Sequence, residues 1–508
     1  MDVLNTLGNH FLQKRLRQLD EMKCRPFDFQ EQVFGSLLEK GKNTAYGRDH
    51  GFRNITNSAQ FRHQVPVVSY EDLLPYLDRL LKGEKNVLWP GRIDHLAKSS
   101  GTTGSKSKIL PVSPEGLRSC HYQGGRDMLA LYFRRNPASK IFSGKNLSIG
   151  GSQESSFSGR NNKFYLGNIS AIVMKNLPFW AQLGRTPELR IALMNDWEKK
   201  VEEITKIAPQ QKITSLAGSP MWMLLLLQNI QNKLGIEYLQ EIWPGLEVFF
   251  HGSVSFSPYK PLFEQLDCDN NLHYLEIYNA TEGFFGMQDQ AEDNSLLLML
   301  NYGIFYEFIP EENFDDENPE VIPLSEVKTD KKYSLVISTN SGLWRYKIGD
   351  TIKFTSVDPY RFLICGRTRH GINIFGEDLF TEHGEKALAV AAKKTGAILQ
   401  NFTAAPSFYG KGEKGFHEWL IEFQKAPSDL QKFTHILDEE LCNLNEDYRA
   451  KRKQDTAIGK PLVREVPAGT FYDWLKRKGK LGGQHKIPAM SNSREFLEEL
   501  LRCQEVTP

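Results

Sequence analysis

Lys212 to Leu234 reads KITSLAGSPMWMLLLLQNIQNKL. Two further short runs follow it, LEVFFHGS (246–253) and LHYLEIYNATEGFFG (272–286). Each run is apolar and β-prone, and each ends in small polar residues. Between the first and second lies a helical pattern from Pro220 through Leu234. Strand, loop, helix, strand predicts α/β layering. In such sheets ligands gather at the C-terminal ends of the strands. Gly218-Ser219, Gly252-Ser253 and Thr281-Glu282 are therefore expected to line one crevice.

Helices are predicted before this segment. In FDFQEQVFGSLLEKG (27–41), Phe29, Val33, Phe34, Leu37 and Leu38 share one helical face. SYEDLLPYLDRLLKG starts at the cap candidate Ser69 and stops at Gly83. The first twenty residues fit either a helix or a loose arm. After the segment, YSLVISTNSGLWRYKIGDTIKFTSVDPYRFLICGR (333–367) alternates strand-like runs with turns. It predicts antiparallel strands packed beside the main sheet. The acidic stretch Glu311–Glu320 reads as an exposed loop. From Arg369 the texture changes to strand–helix–strand–helix, which fits a small α+β unit. The basic run Arg449–Lys453 reads as the solvated end of an acidic helix.

Composition excludes several classes. The 508 residues carry 63 Lys+Arg and 62 Asp+Glu, a net charge of +1, balanced in both parts. A chain whose task is to grip nucleic acid or an anionic membrane carries a basic excess. The six cysteines are scattered, with no CxxC pair and no sign of a disulfide scaffold. The N-terminal stretch is polar where a signal peptide needs an apolar core. The longest apolar run, Met221–Leu227, is too short to span a bilayer. The expectation is a soluble cytoplasmic protein.

Four motifs carry chemistry. AKSSGTTGSKSKILPVS (97–113) packs two serines, two threonines and two glycines into six residues, followed by Lys106 and Lys108. Glycines allow a tight loop whose N–H groups face an anion, hydroxyls add donors, and lysines add charge. The register is not that of GxxxxGK[ST]. Taken alone, such a stretch is more often a flexible polar loop. Strand-like residues on both sides pin this one and favour the phosphate reading. Tyr278-Asn279-Ala280-Thr281-Glu282-Gly283 offers a ring for a base, a hydroxyl for phosphate and a carboxylate for magnesium. A strand end with a turn looks the same. In Tyr346-Lys347-Ile348-Gly349-Asp350 the aspartate can accept two hydrogen bonds from vicinal ribose hydroxyls, although an isolated Gly-Asp is more often a turn. In Gly482-Gly483-Gln484-His485-Lys486-Ile487-Pro488 a lysine follows a glycine pair, and the plain alternative is a surface lysine.

In this order the motifs resemble the adenylate-forming superfamily. NTAYGRDHGF, YEDLLPYLDRLLKGE, SSGTTGSKSKILPVS, YNATEGFFG, YKIGD, AGTFYDWL and QHKIPA narrow the match. They resemble segments of the auxin-responsive Gretchen Hagen family of acyl acid amido synthetases, from about Asn43 to Pro488. The resemblance implies a large N-terminal adenylate-forming domain (1–368) with layered sheets and helices. It also implies a small mobile C-terminal α+β lid (369–508). The implied activity has two steps. A small carboxylic acid attacks ATP to give acyl-AMP and pyrophosphate, and an amine, in plant members an amino acid, then takes the acyl group. Mg²⁺ and ATP are the implied cofactors, and a monomer is the family expectation.

By the same resemblance Ser99, Ser100, Thr102 and Thr103 hold phosphates. Gly252 and Ser253 approach the adenine and Tyr278 stacks on it. Thr281 contacts the α-phosphate, Glu282 binds magnesium, and Asp350 binds the ribose. Arg369 lies near the hinge, and Lys486 stabilises charge on the transferring groups. Met221 and Trp222 stand either near the acyl pocket or in the core, and Gly150-Gly151-Ser152 with the polar loop to Gly159 stand near it too. Thr281 replaces a common serine, Lys347 a frequent arginine, Arg369 a plant lysine, and Ala489 a usual arginine. These departures suggest a member outside the plant type. An acyl-CoA ligase with the same first step, or a catalytically silent nucleotide binder, are the alternatives.

Overall fold

The computed structural model describes residues 2–98, 108–151, 153–159, 162–253, 256, 259–269, 271–314, 316, 318–367, 371–372, 377, 379–408, 415–445, 448–449, 452, 458–479, 481 and 489–505. The chain gathers into two compact units. The first is built from the described residues up to Ser253 and those of Asp267–Ile364. The second is built from the described residues of Val254–Leu266 and of Cys365–Pro508.

The first unit opens with helices. The start of the chain is a helix, Asp2–Cys24, which settles the choice between helix and arm. Pro26–Gly41 follows, with Phe34 and Leu37 buried and Phe29, Val33 and Leu38 packed against the same core. Tyr70–Leu81 begins at a capping box in which Ser69 and Asp72 satisfy each other's backbone N–H groups. It buries Leu73, Leu77 and Leu80, spaced as one helical face requires.

Two sheets form the body of this unit. In the first, β1 (His95–Lys98) and β2 (Ile109–Val112) make an antiparallel hairpin whose last pair is Lys98 with Ile109. β5 (Asn162–Gly167) lies parallel to β1, and β4 (Gln153–Gly159) pairs with β5. The polar run to Gly159 is thus a strand of this sheet, not the loop expected.

The second sheet has twelve strands. Its parallel part runs β6 (Arg185–Thr186), β3 (Lys145–Ser148), β7 (Ile213–Gly218), β8 (Val248–Gly252) and β9 (His273–Asn279). β8 is buried along its whole length, as a parallel strand covered on both faces must be. At β9 the sheet changes character. β10 (Phe284–Met287), β11 (Leu296–Leu298) and β16 (Tyr360–Arg367) continue it antiparallel. β15 (Tyr346–Val357), β14 (Lys332–Thr339), β12 (Ile304–Pro310) and β13 (Ile322–Pro323) complete it. The strands expected beside the main sheet are therefore part of it. Local alternation does not reveal whether a hairpin joins an existing edge.

The predicted helix Pro220–Leu234 follows β7. Proline occupies its first turn, and Gly235 at φ +67° ends it. Eight of its residues are buried, from Pro220 to Ile230.

The second unit has its own core around Trp419, Phe433 and Leu437. A short hairpin, β17 (Gly371–Ile372) with β18 (Leu379–Phe380), precedes the helix Thr381–Thr395. β19 (Ile398–Phe408), β20 (Gly415–Lys425) and β21 (Leu462–Val466) form a sheet, and the helix Leu430–Leu444 packs on Thr381–Thr395. The basic run departs from expectation. Arg452 is not a solvated helix end: its guanidinium grips both carboxylate oxygens of Asp438 with its side chain only 9% exposed. Its mostly buried carboxylate partner lies 14 residues earlier, out of reach of a helical-periodicity argument.

Candidate active site

The parallel strands β7, β8 and β9 lie side by side, so their C-terminal ends share one edge. This edge adjoins the change from parallel to antiparallel pairing, where open α/β sheets collect ligands. Glycines keep the backbones close there. A Cβ on Gly218 would stand 2.7 Å from the Ile149 carbonyl oxygen, and one on Gly252 would stand 2.3 Å from that of Ile277. Ser253 takes φ +77°, which is strained for a non-glycine residue and recurs at functional sites.

At the end of β9 the chain turns back into β10 through four residues. Ala280 N–H donates to the Gly283 carbonyl (2.8 Å), and Gly283 N–H donates back (3.3 Å). Thr281 is buried and Glu282 half-buried at this tip. Magnesium is usually held by one or two carboxylates together with substrate phosphates. Among the described residues no group of three or more acids, histidines or cysteines forms a metal cage. A single carboxylate at a turn, Glu282, fits the phosphate-bridged manner of binding.

Tyr278 and Asp350 come together. The Tyr278 hydroxyl donates to Asp350 Oδ2, and both side chains are buried. Tyr278 is on β9 and Asp350 on β15, four strands away in the sheet order. At ~4.8 Å per strand a flat sheet would hold them nearly 20 Å apart. The sheet must therefore curl between them. The Tyr278 ring lies 4.9 Å from Phe285 and 6.2 Å from Phe362, centroid to centroid. Asp350 lies within β15 rather than at its end. Gly349, at φ +89°, supplies the local bend.

The hairpin β1–β2 carries the Ser/Thr/Gly-rich loop at its tip, so the loop is pinned at both ends as expected. Ser99, Ser100, Thr102, Thr103, Arg369 and Lys486 lie outside the described residues. Lys108, where the loop re-enters β2, donates to the Tyr346 hydroxyl (3.3 Å) and stands over the rings of Tyr70 and Tyr346. This ties the loop's base to the YKIGD strand. Lys347 donates to the Phe314 carbonyl at 2.9 Å.

Two histidines escaped sequence reasoning. His121, before the helix Tyr122–Arg135, donates from Nδ1 to Asn279 Oδ1 at 3.0 Å, beside the turn. His251 precedes Gly252 on β8. Neither belongs to a spacing motif, so no local signal pointed to them. Burial pushes the His121 imidazole down to about 4, opposed by the Asn279 hydrogen bond. Burial pushes His251 down to about 3. Both are neutral in the fold at pH 7. Below the unfolded imidazole value of ~6.5 the unfolded chain takes up protons that the folded chain refuses. Stability is therefore expected to fall as the pH drops from ~6.5 toward 4. His121→Asn, which keeps a donor for Asn279, should flatten that slope in denaturant titrations at stepped pH. An unchanged slope contradicts the assignment.

Met221 and Trp222, in the first turn of Pro220–Leu234, are both buried, and Trp222 packs edge-on against Trp197 at 4.6 Å.

The profile of the GH3 family N-terminal domain matches residues 15–270. That of the GH3 family central domain matches 297–367, and that of the GH3 family C-terminal domain matches 382–495. The chain belongs to the GH3 family. Among its GH3 relatives is the indole-3-acetic acid-amido synthetase GH3.3 of Arabidopsis thaliana, 23% identical over 96% of this chain and 93% of the relative. The 4-substituted benzoates-glutamate ligase GH3.12 of the same plant is 24% identical over 96% of each. The jasmonoyl–L-amino acid synthetase JAR4 of Nicotiana attenuata is 24% identical over 90% of each. The named relatives are thus acid–amino acid ligases. In fold, the GH3 chain is similar to the GH3.15 acyl acid amido synthetase, with a TM-score of 0.78 at 19% identity over 96% of this chain and 95% of that one. It is also similar to a 2-hydroxyisobutyryl-CoA ligase in the postadenylation state, with a TM-score of 0.58 at 13% identity over 94% and 92%. The fold is that of adenylate-forming enzymes.

Proposed function

We propose that this GH3 protein is an ATP-dependent acyl acid amido synthetase. It adenylates a small carboxylic acid, releasing pyrophosphate, and passes the acyl group to an amine, an amino acid being the leading candidate. One observation carries the reading. The Thr281-Glu282 turn closes the edge formed by β7, β8 and β9, in a chain whose sequence holds the phosphate-loop, YNATEG, YKIGD and QHKIP segments in the order that resembles this family. Family membership favours an amine over a thiol as acceptor.

The chemistry suits the residues. A carboxylate approaching a polyanion must have its repulsion neutralised. In this proposal Ser99, Ser100, Thr102 and Thr103 hold phosphates, Thr281 holds the α-phosphate, and Glu282 holds Mg²⁺. When bound, Mg²⁺ supplies charge neutralisation on the phosphate oxygens. Gly252 and Ser253 let the backbone approach the adenine, Tyr278 flanks it, and Asp350 receives the ribose. Residues 1–368 form the binding body. Residues 369–508 form a lid that hinges near Arg369 and carries Lys486. A closing lid keeps the acyl-adenylate from water. Met221 and Trp222 form the buried end of the acyl pocket. The cytoplasm is the proposed location. Among the described residues no helix is long and apolar enough to cross a membrane.

Acid-dependent ATP–pyrophosphate exchange with Mg²⁺, across aliphatic, aromatic and indole acids, tests the reading. Exchange with any acid supports adenylation, and product analysis with amines and thiols then settles the acceptor. ATP binding without exchange across the panel favours the silent nucleotide binder. Asp350→Ala is expected to weaken ATP at least tenfold in a binding titration. It should also cost about 1–3 kcal/mol of stability, because the buried Tyr278 hydroxyl loses its acceptor. Unchanged ATP affinity would contradict the ribose role.

A further inference from the structure

Both legs of the turn between β9 and β10 are held by one short stretch of chain. Asn279 and Phe284 stand opposite each other in the ladder at the base of that turn. His121 Nδ1 donates to Asn279 Oδ1 at 3.0 Å, and the Phe284 N–H donates to Cys120 Sγ at 3.2 Å. Cys120 and His121 are both buried. Two consecutive side chains therefore fix the two strands that carry Thr281 and Glu282 between them. Gly124 completes the contact. A Cβ there would stand 2.4 Å from Phe284 Cδ2, so the missing side chain lets that ring lie against the helix Tyr122–Arg135.

Leu117–His121 is a wide π-helical turn, in which the Tyr122 N–H donates to the Leu117 carbonyl. An α-turn swings consecutive side chains apart by ~100°. The wider turn swings them less, so Cys120 and His121 can reach the same hairpin. That hairpin is irregular at the matching place, with a bulge between Phe284 and Gly286. Single π turns and bulges both recur beside functional sites, where they re-aim side chains. The π turn is itself braced. Ser113 Oγ donates to the Asn340 carbonyl at 2.6 Å, and Asn340 Nδ2 donates to Ser119 Oγ at 2.9 Å. β2, the return strand of the Ser/Thr/Gly-rich loop, ends directly before Ser113. Ser113–His121 is thus a braced link from that strand to the Thr281-Glu282 turn. A carboxylate that meets a metal must be aimed, and the groups that aim such ligands matter nearly as much as the ligands.

We propose that Cys120 and His121 are positioning residues, which hold the Thr281 hydroxyl and the Glu282 carboxylate in the arrangement that receives the magnesium–triphosphate end of ATP. The proposal rests on the adenylation reading for its ligand. Cys120 and His121 act through the turn, by keeping its two ends at a fixed separation and orientation.

The test is a calorimetric ATP titration, run with excess Mg²⁺ and again in EDTA, beside pyrophosphate exchange. In wild type Mg²⁺ is expected to tighten ATP. His121→Leu and Cys120→Ala should each cut that tightening by about 10-fold or more, while affinity in EDTA stays within about threefold of wild type. Asn279→Ala, at a half-buried position that tolerates truncation, should match His121→Leu. It keeps the test decisive should a truncation in the π turn unfold the chain. His121→Asn keeps a donor for Asn279, and Cys120→Ser keeps an acceptor for the Phe284 N–H, so both should recover most of the tightening. Thr214→Val loses a buried hydroxyl that donates to the Ile141 carbonyl, and it should leave the Mg²⁺ response intact whatever its melting temperature. An equal fall with and without Mg²⁺, or an equal loss in Thr214→Val, would mark plain loss of packing and overturn the proposal. Failure of the conservative variants to recover the response would overturn it too. A Mg²⁺ response untouched in every variant would overturn this proposal alone. A wild type whose ATP affinity ignores Mg²⁺ would sink the Glu282 assignment along with it. Loss of the response in the variants, in a protein that exchanges pyrophosphate with no acid, would uphold the positioning role and sink the adenylation reading.

Discussion

Lys486→Ala is expected to slow adenylation by about 10²-fold or more while ATP still binds. The reason lies in where charge develops. As the acid's oxygen bonds to the α-phosphorus and pyrophosphate departs, negative charge grows on the transferring phosphoryl and acyl oxygens. A cation delivered there stabilises the transition state more than the ground state, so its removal lowers the rate rather than the affinity. The glycine pair before Lys486 and the proline after it suit a side chain that must be presented at one moment of the cycle. The measurement is acid-dependent pyrophosphate exchange beside equilibrium ATP binding. A variant that exchanges as fast as wild type refutes the role. A variant that loses ATP binding in proportion to rate makes Lys486 a ground-state ligand instead.

Glu307→Ala is expected to cost about 3–5 kcal/mol, the scale of stranding one member of a buried ion pair. Glu307 Oε2 accepts from Arg345 Nε at 3.0 Å, with side-chain exposures of 0% and 4%. Arg345 also donates to the Arg62 and Val65 carbonyls, and its own backbone sits at φ +44°. It therefore clamps the entry to β15 against the segment preceding Tyr70–Leu81. Tyr346 and Asp350 follow directly, so ATP affinity should fall along with the unfolding midpoint in urea. The double variant Glu307→Leu with Arg345→Met removes both charges and should recover much of the stability without recovering the affinity. A single variant within 1 kcal/mol of wild type would show that the pair is not the clamp.

Much of this was legible in the residues. Apolar runs followed by Gly218-Ser219, Gly252-Ser253 and Thr281-Glu282, with a helical pattern between the first two, announced α/β layering with one shared crevice, because the period of apolar residues marks strand and helix locally. Ser69 with Asp72 announced a helix start, because capping is chemistry between neighbours in the chain. The phosphate-loop composition, YNATEG and YKIGD announced the family and its reaction, because their order along the chain is specific.

Other features came only from tertiary structure, and all of them join residues distant in sequence. The pairing of Tyr278 with Asp350 depends on a sheet that curls across four strands. The His121–Asn279 contact spans 158 residues. The clamp of Glu307 on Arg345, and the return of Arg452 to Asp438, were invisible because charge in a sequence carries no mark of burial. The burial of Lys200, whose ammonium donates to the Gly150 carbonyl, was equally unmarked in the sequence. Periodicity records which face of an element is apolar; it does not record which charges the fold encloses, because that depends on how elements pack against one another.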